Sequence, residues 1–151
     1  MSLFPAIDKI LDNAVNLNPE KVWVLTFDEE VKQEIIRLNT RDQMFDKGVD
    51  SLNRSLGVYS ARSVQEFGKR KGRIQLFDEG SFYASFIVRV DRGGITISAD
   101  TIKTGDDGVT TDLAVRYGID ILGLTDESQH TLIIKLLIDK YVKIVRDEIL
   151  Q

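Results

Sequence analysis

The sequence predicts an α+β fold, in which a small antiparallel β-sheet with a central hairpin is flanked by N-terminal helices and a long C-terminal helix. Apolar residues alternate over residues 85–100, which is typical of a hairpin. They recur at helical intervals over residues 5–39 and 125–150. At 151 residues and 42% hydrophobic content, the chain is expected to form a single domain with its own core.

Composition excludes several classes of protein. The chain has no cysteine and one histidine, so it lacks the residues for a disulfide or for a zinc set built from cysteine and histidine. Lys+Arg number 20 against Asp+Glu 24, whereas a dedicated nucleic-acid binder usually carries a basic excess. Because no apolar run is long enough to span a bilayer and the start does not resemble a signal peptide, we expect an intracellular, soluble protein with no membrane partner.

The N-terminal part is predicted to be largely helical. Residues 5–17 carry apolar residues at helical spacing and predict a short amphipathic helix. A second run, 21–39, repeats apolar residues every four positions and is interpreted mainly as helix. Its first half, 21–27, is β-branched and aromatic enough to form a strand instead, in which case Asp28 caps a shorter helix over 29–38. Both alternatives stay open.

The composition of residues 39–72 predicts a long loop or arm, or a set of short extended pieces. The segment is rich in Asn, Asp, Ser and Gly, and its apolar residues follow no period. An irregular segment of this length is uncommon inside a compact domain, and it is often functional when it occurs. We therefore expect this arm to contact a partner.

Alternation of apolar residues predicts a β-hairpin over 85–100, with its turn at 91–94. The following TGDDGVTTD, residues 104–112, indicates a loop, and residues 113–117 indicate a short helix. The next segment is expected to supply three packing residues, Ile119, Ile121 and Leu122.

The last element is predicted to be a helix of more than twenty residues. Thr125 is a suitable N-cap, two acidic residues follow it in the first turn, and no proline or glycine interrupts the run to Leu150. Its apolar residues cover more than one face, because Ile134, Ile138 and Val142 lie beyond the main stripe. Either the helix is sandwiched within the fold, or these three residues meet another subunit.

The strongest charge cluster is formed by Lys69, Arg70, Lys71 and Arg73. Such a cluster can contact phosphates, dock an acidic partner or remain a solvated tip. No aromatic residues are interleaved for base stacking, so any DNA contact here is expected to be non-specific.

No pattern in the sequence predicts catalysis. His130 has no partners for a catalytic triad, and the chain contains neither GxxxxGK[ST] nor GxGxxG. Asp106, Asp107 and Asp112 offer oxygens to a hard cation, but their spacing does not fit an EF-hand. We therefore expect no catalytic residue, no metal and no cofactor. A small metal-dependent carboxylate hydrolase or nuclease, or a regulatory binding module, is the alternative, and only the surplus of acids supports it.

Several motifs resemble those of small virion proteins of tailed bacteriophages. Residues 77–86, followed by the strand at 87–90, resemble a stretch that precedes a β-hairpin in that group, with Glu79 where the group usually has Thr. Further segments are similar to proteins of the crAss-like and related Bacteroidetes phages, namely 38–45, 48–51, 57–60 and 117–125.

The resemblance implies a structural role in the virion, as a neck, tail-completion or connector subunit made in the host cytoplasm. It implies a homo-oligomeric ring between portal and tail, with portal, connector and tail proteins as partners. A basic cluster such as residues 69–73 is able to face DNA in the channel of a ring, but four residues do not assign that contact. A subunit of such a ring contacts its neighbours through two different faces. The wide terminal helix and the arm at 39–72 are the expected faces.

Overall fold

A computed structural model describes residues 2–66, 68–69, 71–92 and 94–151, and it has the predicted α+β architecture. The strands are β1 (Ile87–Asp91), β2 (Gly94–Ser98), β3 (Ile102–Thr104) and β4 (Thr110–Asp112). The helices are α1 (Pro5–Val15), α2 (Pro19–Thr26), α3 (Glu29–Arg37), α4 (Ala61–Glu66), α5 (Ser81–Ala84), α6 (Leu113–Tyr117), α7 (Asp126–Leu132) and α8 (Ile138–Leu150), with π-helical segments at Leu38–Lys47 and Ile133–Leu137 and a 3-10 turn at Ile119–Ile121.

The open choice between helix and strand at 21–27 is settled in favour of helix. The side chain of Asn18 accepts a hydrogen bond from the Lys21 amide and caps α2. Asp28 accepts from the amide of Val31 at 3.0 Å and starts α3, as the strand alternative had also required. The two helices are therefore separate because each has its own polar cap.

The prediction of a loop over 39–72 is wrong for residues 39–47. These residues continue α3 without a break as the π-helical segment, and Asn39, Gln43 and Met44 are fully buried in it. The polar composition that indicated a loop has another cause, because these polar side chains bind backbone inside the protein. The rest of the segment contains α4 and the two antiparallel bridges Val49–Ser55 and Val58–Arg73.

Two buried side-chain amides, Asn39 and Gln43, form what we call the amide clasp. Four residues apart, they lie on one side of their helix. Asn39 donates to the carbonyl of Ile121 and accepts from the amide of Gly123, both at 2.9 Å. Gln43 donates to the carbonyl of Gly123 and accepts from the amide of Thr125, both at 2.8 Å. The backbone groups of the irregular segment between the 3-10 turn and α7 are thereby satisfied by side chains.

The hairpin predicted over 85–100 is confirmed. Strands β1 and β2 pair in antiparallel register, with Val88 opposite Ile97, and Gly93 of the predicted turn lies outside the described residues. The loop predicted at 104–112 is wrong in part, because β3 and β4 form a second hairpin there. The hydroxyls of Thr104 and Thr110 lie 3.2 Å apart across it, which explains how a polar sequence without apolar alternation forms strands.

The core consists of two clusters of buried residues that share the partly buried Ile36 and Ile97. Ile121 is buried and Leu122 packs against the core, as predicted, whereas Ile119 is exposed. The first cluster contains Met44, Leu56, Ile74, Phe82, Tyr83, Phe86 and Ile121, and the second contains Phe27, Val31, Ile35, Leu38, Val88 and Leu132.

The long terminal helix is confirmed. It runs without a break from Asp126 to Leu150, and the Thr125 hydroxyl accepts from the Ser128 amide at 3.1 Å. Leu132 is buried in the core, and α1 and α2 pack against α8. The helix therefore joins the core at its start to the N-terminal helices at its end.

Candidate assembly surface

Helix α1 has an apolar face that the described chain leaves open. Ile7, Leu11 and Val15 are four residues apart and therefore lie on one side of the helix, and Leu3 and Phe4 directly precede its first turn. An amphipathic helix in a globular protein normally buries this stripe, yet no residue of α1 is buried. The α1 face consists of Leu3, Phe4, Ile7, Leu11 and Val15, which are exposed by 88%, 64%, 53%, 57% and 84%.

Polar contacts attach α1 to the carboxyl end of α8. Lys9 Nζ donates to the carbonyl of Gln151 at 2.7 Å, and Asn13 Nδ2 donates to the carbonyl of Ile149 at 2.9 Å. Because the later residue of α1 meets the earlier residue of α8, the two helices run antiparallel. The residues before Lys9 therefore extend past these contacts, away from the rest of α8.

A second apolar face lies on the terminal helix. Ile134, Ile138 and Val142, the residues that the excess width of the stripe singled out, are four residues apart and form one row. They are exposed by 55%, 46% and 49%, so the alternative that the helix is sandwiched within the fold is wrong at these positions. We call these three residues the α8 face.

Charged residues of opposite sign border the two faces. Asp8 and Asp12 are exposed on α1, where Asp8 lies four residues after Phe4 and Asp12 three before Val15. Lys135 and Arg146 are exposed on the terminal helix, three residues before Ile138 and four after Val142 respectively. The exposed Asp139 lies three residues before Val142. At such spacings side chains are neighbours on a helix surface, so the α1 face has an acidic border, whereas the border of the α8 face has two cations and one acid.

The basic cluster of the sequence is only partly available for a partner. Lys69 forms an ion pair with Asp78 at 2.7 Å. Lys71 and Arg73 are exposed and line a cavity of about 240 Å³, whereas Arg70 lies outside the described residues. Lys71 and Arg73 therefore line the same cavity. They are far from α1 in the sequence.

The residues considered for catalysis or metal binding have local structural roles or lie on the surface. His130 is exposed on α7. The Thr101 hydroxyl and the Ala114 amide hydrogen-bond Asp112 and lower the pKa of its carboxyl, which caps α6. Asp107 accepts from the amide of Val109 in the turn of the second hairpin. Among the residues that the structure describes, no group of three or more histidine or acidic side chains is arranged to hold a metal ion.

The α1 face is the feature that sequence reasoning missed. Residues 5–17 were predicted to form an amphipathic helix, and they do over Pro5–Val15, but nothing in the sequence indicated that its apolar side is exposed. No helix in the described part of the chain combines the length and the hydropathy that are needed to cross a bilayer. Comparison with protein-family models, curated proteins and solved structures gave no match.

Proposed function

We propose that this chain is a structural, non-enzymatic subunit of a tailed-phage virion, a neck or tail connector that joins portal or capsid to tail as part of a ring. The observation that carries the proposal is the pair of open apolar faces on α1 and α8. The phage-like motifs spread over residues 38–125 support the same role.

Large exposed apolar surface favours assembly over a solitary monomer. Soluble monomers rarely expose contiguous apolar patches larger than a few hundred Å², and larger patches mark contact sites. A ring also needs two different faces on each subunit, because each copy contacts one neighbour on either side. Two apolar faces on separate helices, with borders of opposite charge, suit that requirement.

Lys71 and Arg73 are the residues proposed to face an acidic partner or the DNA of the channel. Their contact with DNA would involve the phosphate backbone and would weaken steeply with salt. It would be independent of base sequence, because such contacts carry no sequence information.

Genomic neighbourhood gives the first test of this function. Portal, capsid or tail genes are expected beside the gene for this chain, and metabolic genes on both sides would contradict the proposal.

Imaging gives the second test. The chain is co-expressed with the portal and tail proteins encoded beside it, and the purified material is examined by negative-stain microscopy and mass photometry. Rings bound to at least one of these proteins are expected. A chain that stays monomeric both alone and in their presence would contradict a connector role.

A further inference from the structure

We propose that copies of this chain associate directly, with the α1 face of one copy packing on the α8 face of the next. This contact deepens the proposed ring and rests on the proposed function only for closure of the circle. The contact itself depends on residues of α1 and α8 alone, so it can be tested without any other virion protein.

The first support is the exposed apolar area of the two faces. Five large apolar side chains exposed by 53% to 88% present several hundred Å² on the α1 face, and the α8 face adds three more side chains. A stable interface buries roughly 800 Å² on each partner. In a head-to-tail contact each copy contributes one face to a given interface, so the α1 face supplies most of the apolar area and the three side chains of the α8 face supply less. That area is of the order expected for a weak, reversible association.

Charge complementarity is the second support, and it selects the pairing. The α1 face is bordered by two acids, Asp8 and Asp12. At the border of the α8 face two cations, Lys135 and Arg146, outnumber one acid, Asp139, so the net charges of the two borders are opposite. Two α1 faces brought together would instead place like charges side by side, which suppresses that pairing. The favoured contact thus joins unlike faces.

The third support is the distance between the faces. Helix α1 is held at Ile149 and Gln151, whereas Ile138 lies thirteen residues before Gln151. At 1.5 Å per residue, the centre of the α8 face lies about 20 Å away along the helix axis. The α1 helix of the same chain leaves the α8 face uncovered, since its three side chains are about half exposed. Contacts of this kind continue from copy to copy, head to tail.

A lipid surface is the competing occupant of an exposed amphipathic helix. Helices that lie on membranes usually carry Lys and Arg on the polar side, where they attract anionic lipids. The polar side of α1 has Asp8 and Asp12 with one lysine, Lys9, which is already hydrogen-bonded to the carbonyl of Gln151. The charges of α1 therefore favour a basic protein surface over an anionic bilayer.

The experiment compares the wild type with two double variants that each add two negative charges to one face. Ile7→Glu with Leu11→Glu disables the α1 face, and Ile138→Glu with Val142→Glu disables the α8 face. Lys143→Glu is the matched control, since it changes the charge of α8 by the same amount away from the α8 face. Circular dichroism confirms that each variant is folded, which is expected because all substituted side chains are exposed.

Sedimentation velocity and mass photometry then measure association at micromolar concentrations. The wild type and the control are expected to form species larger than one copy, and each double variant is expected to associate more than about tenfold more weakly. An equimolar mixture of the two double variants keeps one intact face of each kind, so it is expected to form pairs and nothing larger.

Three results would overturn the contact: a monomeric wild type at 50–100 µM, double variants that associate like the control, or a mixture that stays monomeric. Flotation with vesicles of three parts phosphatidylcholine and one part phosphatidylglycerol covers the lipid alternative. Vesicle binding by a monomeric wild type, lost in the α1 variant, would replace the contact with a membrane surface. Association combined with metabolic neighbour genes would keep the contact and overturn the phage role, so the two failures are distinguishable.

Discussion

The side chains of Asn39 and Gln43 form hydrogen bonds with the backbone of the segment that leads into the terminal helix. Both residues are fully buried, and each satisfies one backbone donor and one backbone acceptor. A buried backbone group that loses its partner costs about 1–3 kcal/mol. The amide clasp is therefore expected to contribute more to stability than ordinary surface hydrogen bonds do.

Replacing Gln43 by alanine tests this expectation. The change leaves the Gly123 carbonyl and the Thr125 amide without their partner and opens a cavity, so we expect a loss of about 2–4 kcal/mol in the free energy of unfolding. Gln33→Ala is the control, because Gln33 lies exposed on the same helix, and its loss is expected to stay below about 0.5 kcal/mol. Urea unfolding measures the free energy of unfolding of both variants. Equal losses would show that the amide clasp contributes no more to stability than a surface side chain does.

Lys140 bridges two carboxylates at the start of α3. Its ammonium lies 2.7 Å from the carboxylate of Asp28 and also pairs with Glu30. Burial alone raises the pKa of the Asp28 carboxyl, but hydrogen bonds from Lys140 and from the Val31 amide outweigh it and hold that pKa below its ordinary 3.8. In turn, hydrogen bonds to Asp28 and Glu30 raise the pKa of Lys140 above its ordinary 10.5.

These pKa shifts predict how Lys140→Met depends on pH. At pH 7 the variant is expected to be less stable by about 0.5–1 kcal/mol, because the bridge is partly exposed. Because the folded state lowers the pKa of Asp28, its carboxylate stabilises the fold fully above pH 3.8, and this contribution is lost as the pH falls from 3.8 through the lowered pKa. Because the folded state raises the pKa of Lys140, its ammonium stabilises the fold fully below pH 10.5, and this contribution is lost as the pH rises from 10.5 through the raised pKa. Urea unfolding of the wild type and the variant across pH is therefore expected to show a difference that shrinks at both extremes, and the exposed Lys143→Met should give no such difference.

At the scale of elements, the end of the helix that begins at Glu29 depends on one glycine. Gly48 follows the π-helical segment with φ at +65°, a conformation that L side chains rarely adopt. A Cβ added there would lie 3.1 Å from Arg73 Cβ and 3.1 Å from the Ile74 carbonyl oxygen. The glycine therefore permits both the helix end and the close approach of the chain at 73–74.

Gly48→Ala is expected to destabilise the protein by about 2–3 kcal/mol, since it adds the crowding to the backbone cost. Gly108→Ala is the matched control, because Gly108 has φ at +74° but no atom within 4 Å of the added Cβ. The control is expected to lose only the backbone cost of about 1–2 kcal/mol. Thermal unfolding measures the stability of both variants. An equal loss of stability would mean that residues 73–74 move away from the added Cβ at no cost.

Elements with a local signal could be predicted from the sequence. Thr125 with acidic residues behind it marked the start of the terminal helix, and alternation marked the hairpin of β1 and β2. The π-helical segment escaped because Asn39 and Gln43, which suit a loop by type, are buried for hydrogen bonds to a segment some eighty residues later. A partner so distant in sequence leaves no local pattern.

At the scale of the molecule, the sequence indicated the α8 face as one of two alternatives and gave no indication of the α1 face. Ile134, Ile138 and Val142 exceeded the width that one core-facing stripe needs, and the structure was required to choose exposure over burial within the fold. The stripe of α1 has an ordinary width, and such a stripe has the same sequence whether it meets its own core or another molecule. Only the position of α1 at the far end of α8 distinguishes the two.

Self-association predicts that thermal stability depends on protein concentration. If folded copies bind one another and unfolded chains do not, mass action stabilises the fold as concentration rises. Between 1 and 100 µM we expect the melting temperature of the wild type to rise by several degrees. The variant with Ile7→Glu and Leu11→Glu should melt at the same temperature throughout that range. Differential scanning calorimetry measures both, and parallel behaviour of the two proteins would contradict a role for α1.

The amide clasp is one of the contacts that fix the direction of the terminal helix, together with the burial of Leu132 and the bridge from Lys140 to α3. Its last hydrogen bond is to Thr125, the residue that caps a helix about 37 Å long. Because the helix is long, a tilt of about 5° at Thr125 would move its other end by about 3 Å. The two buried amides therefore help to set the orientation of this helix. A small change near Asn39 is expected to displace Gln151, where α1 is attached, more than it displaces residues near Thr125.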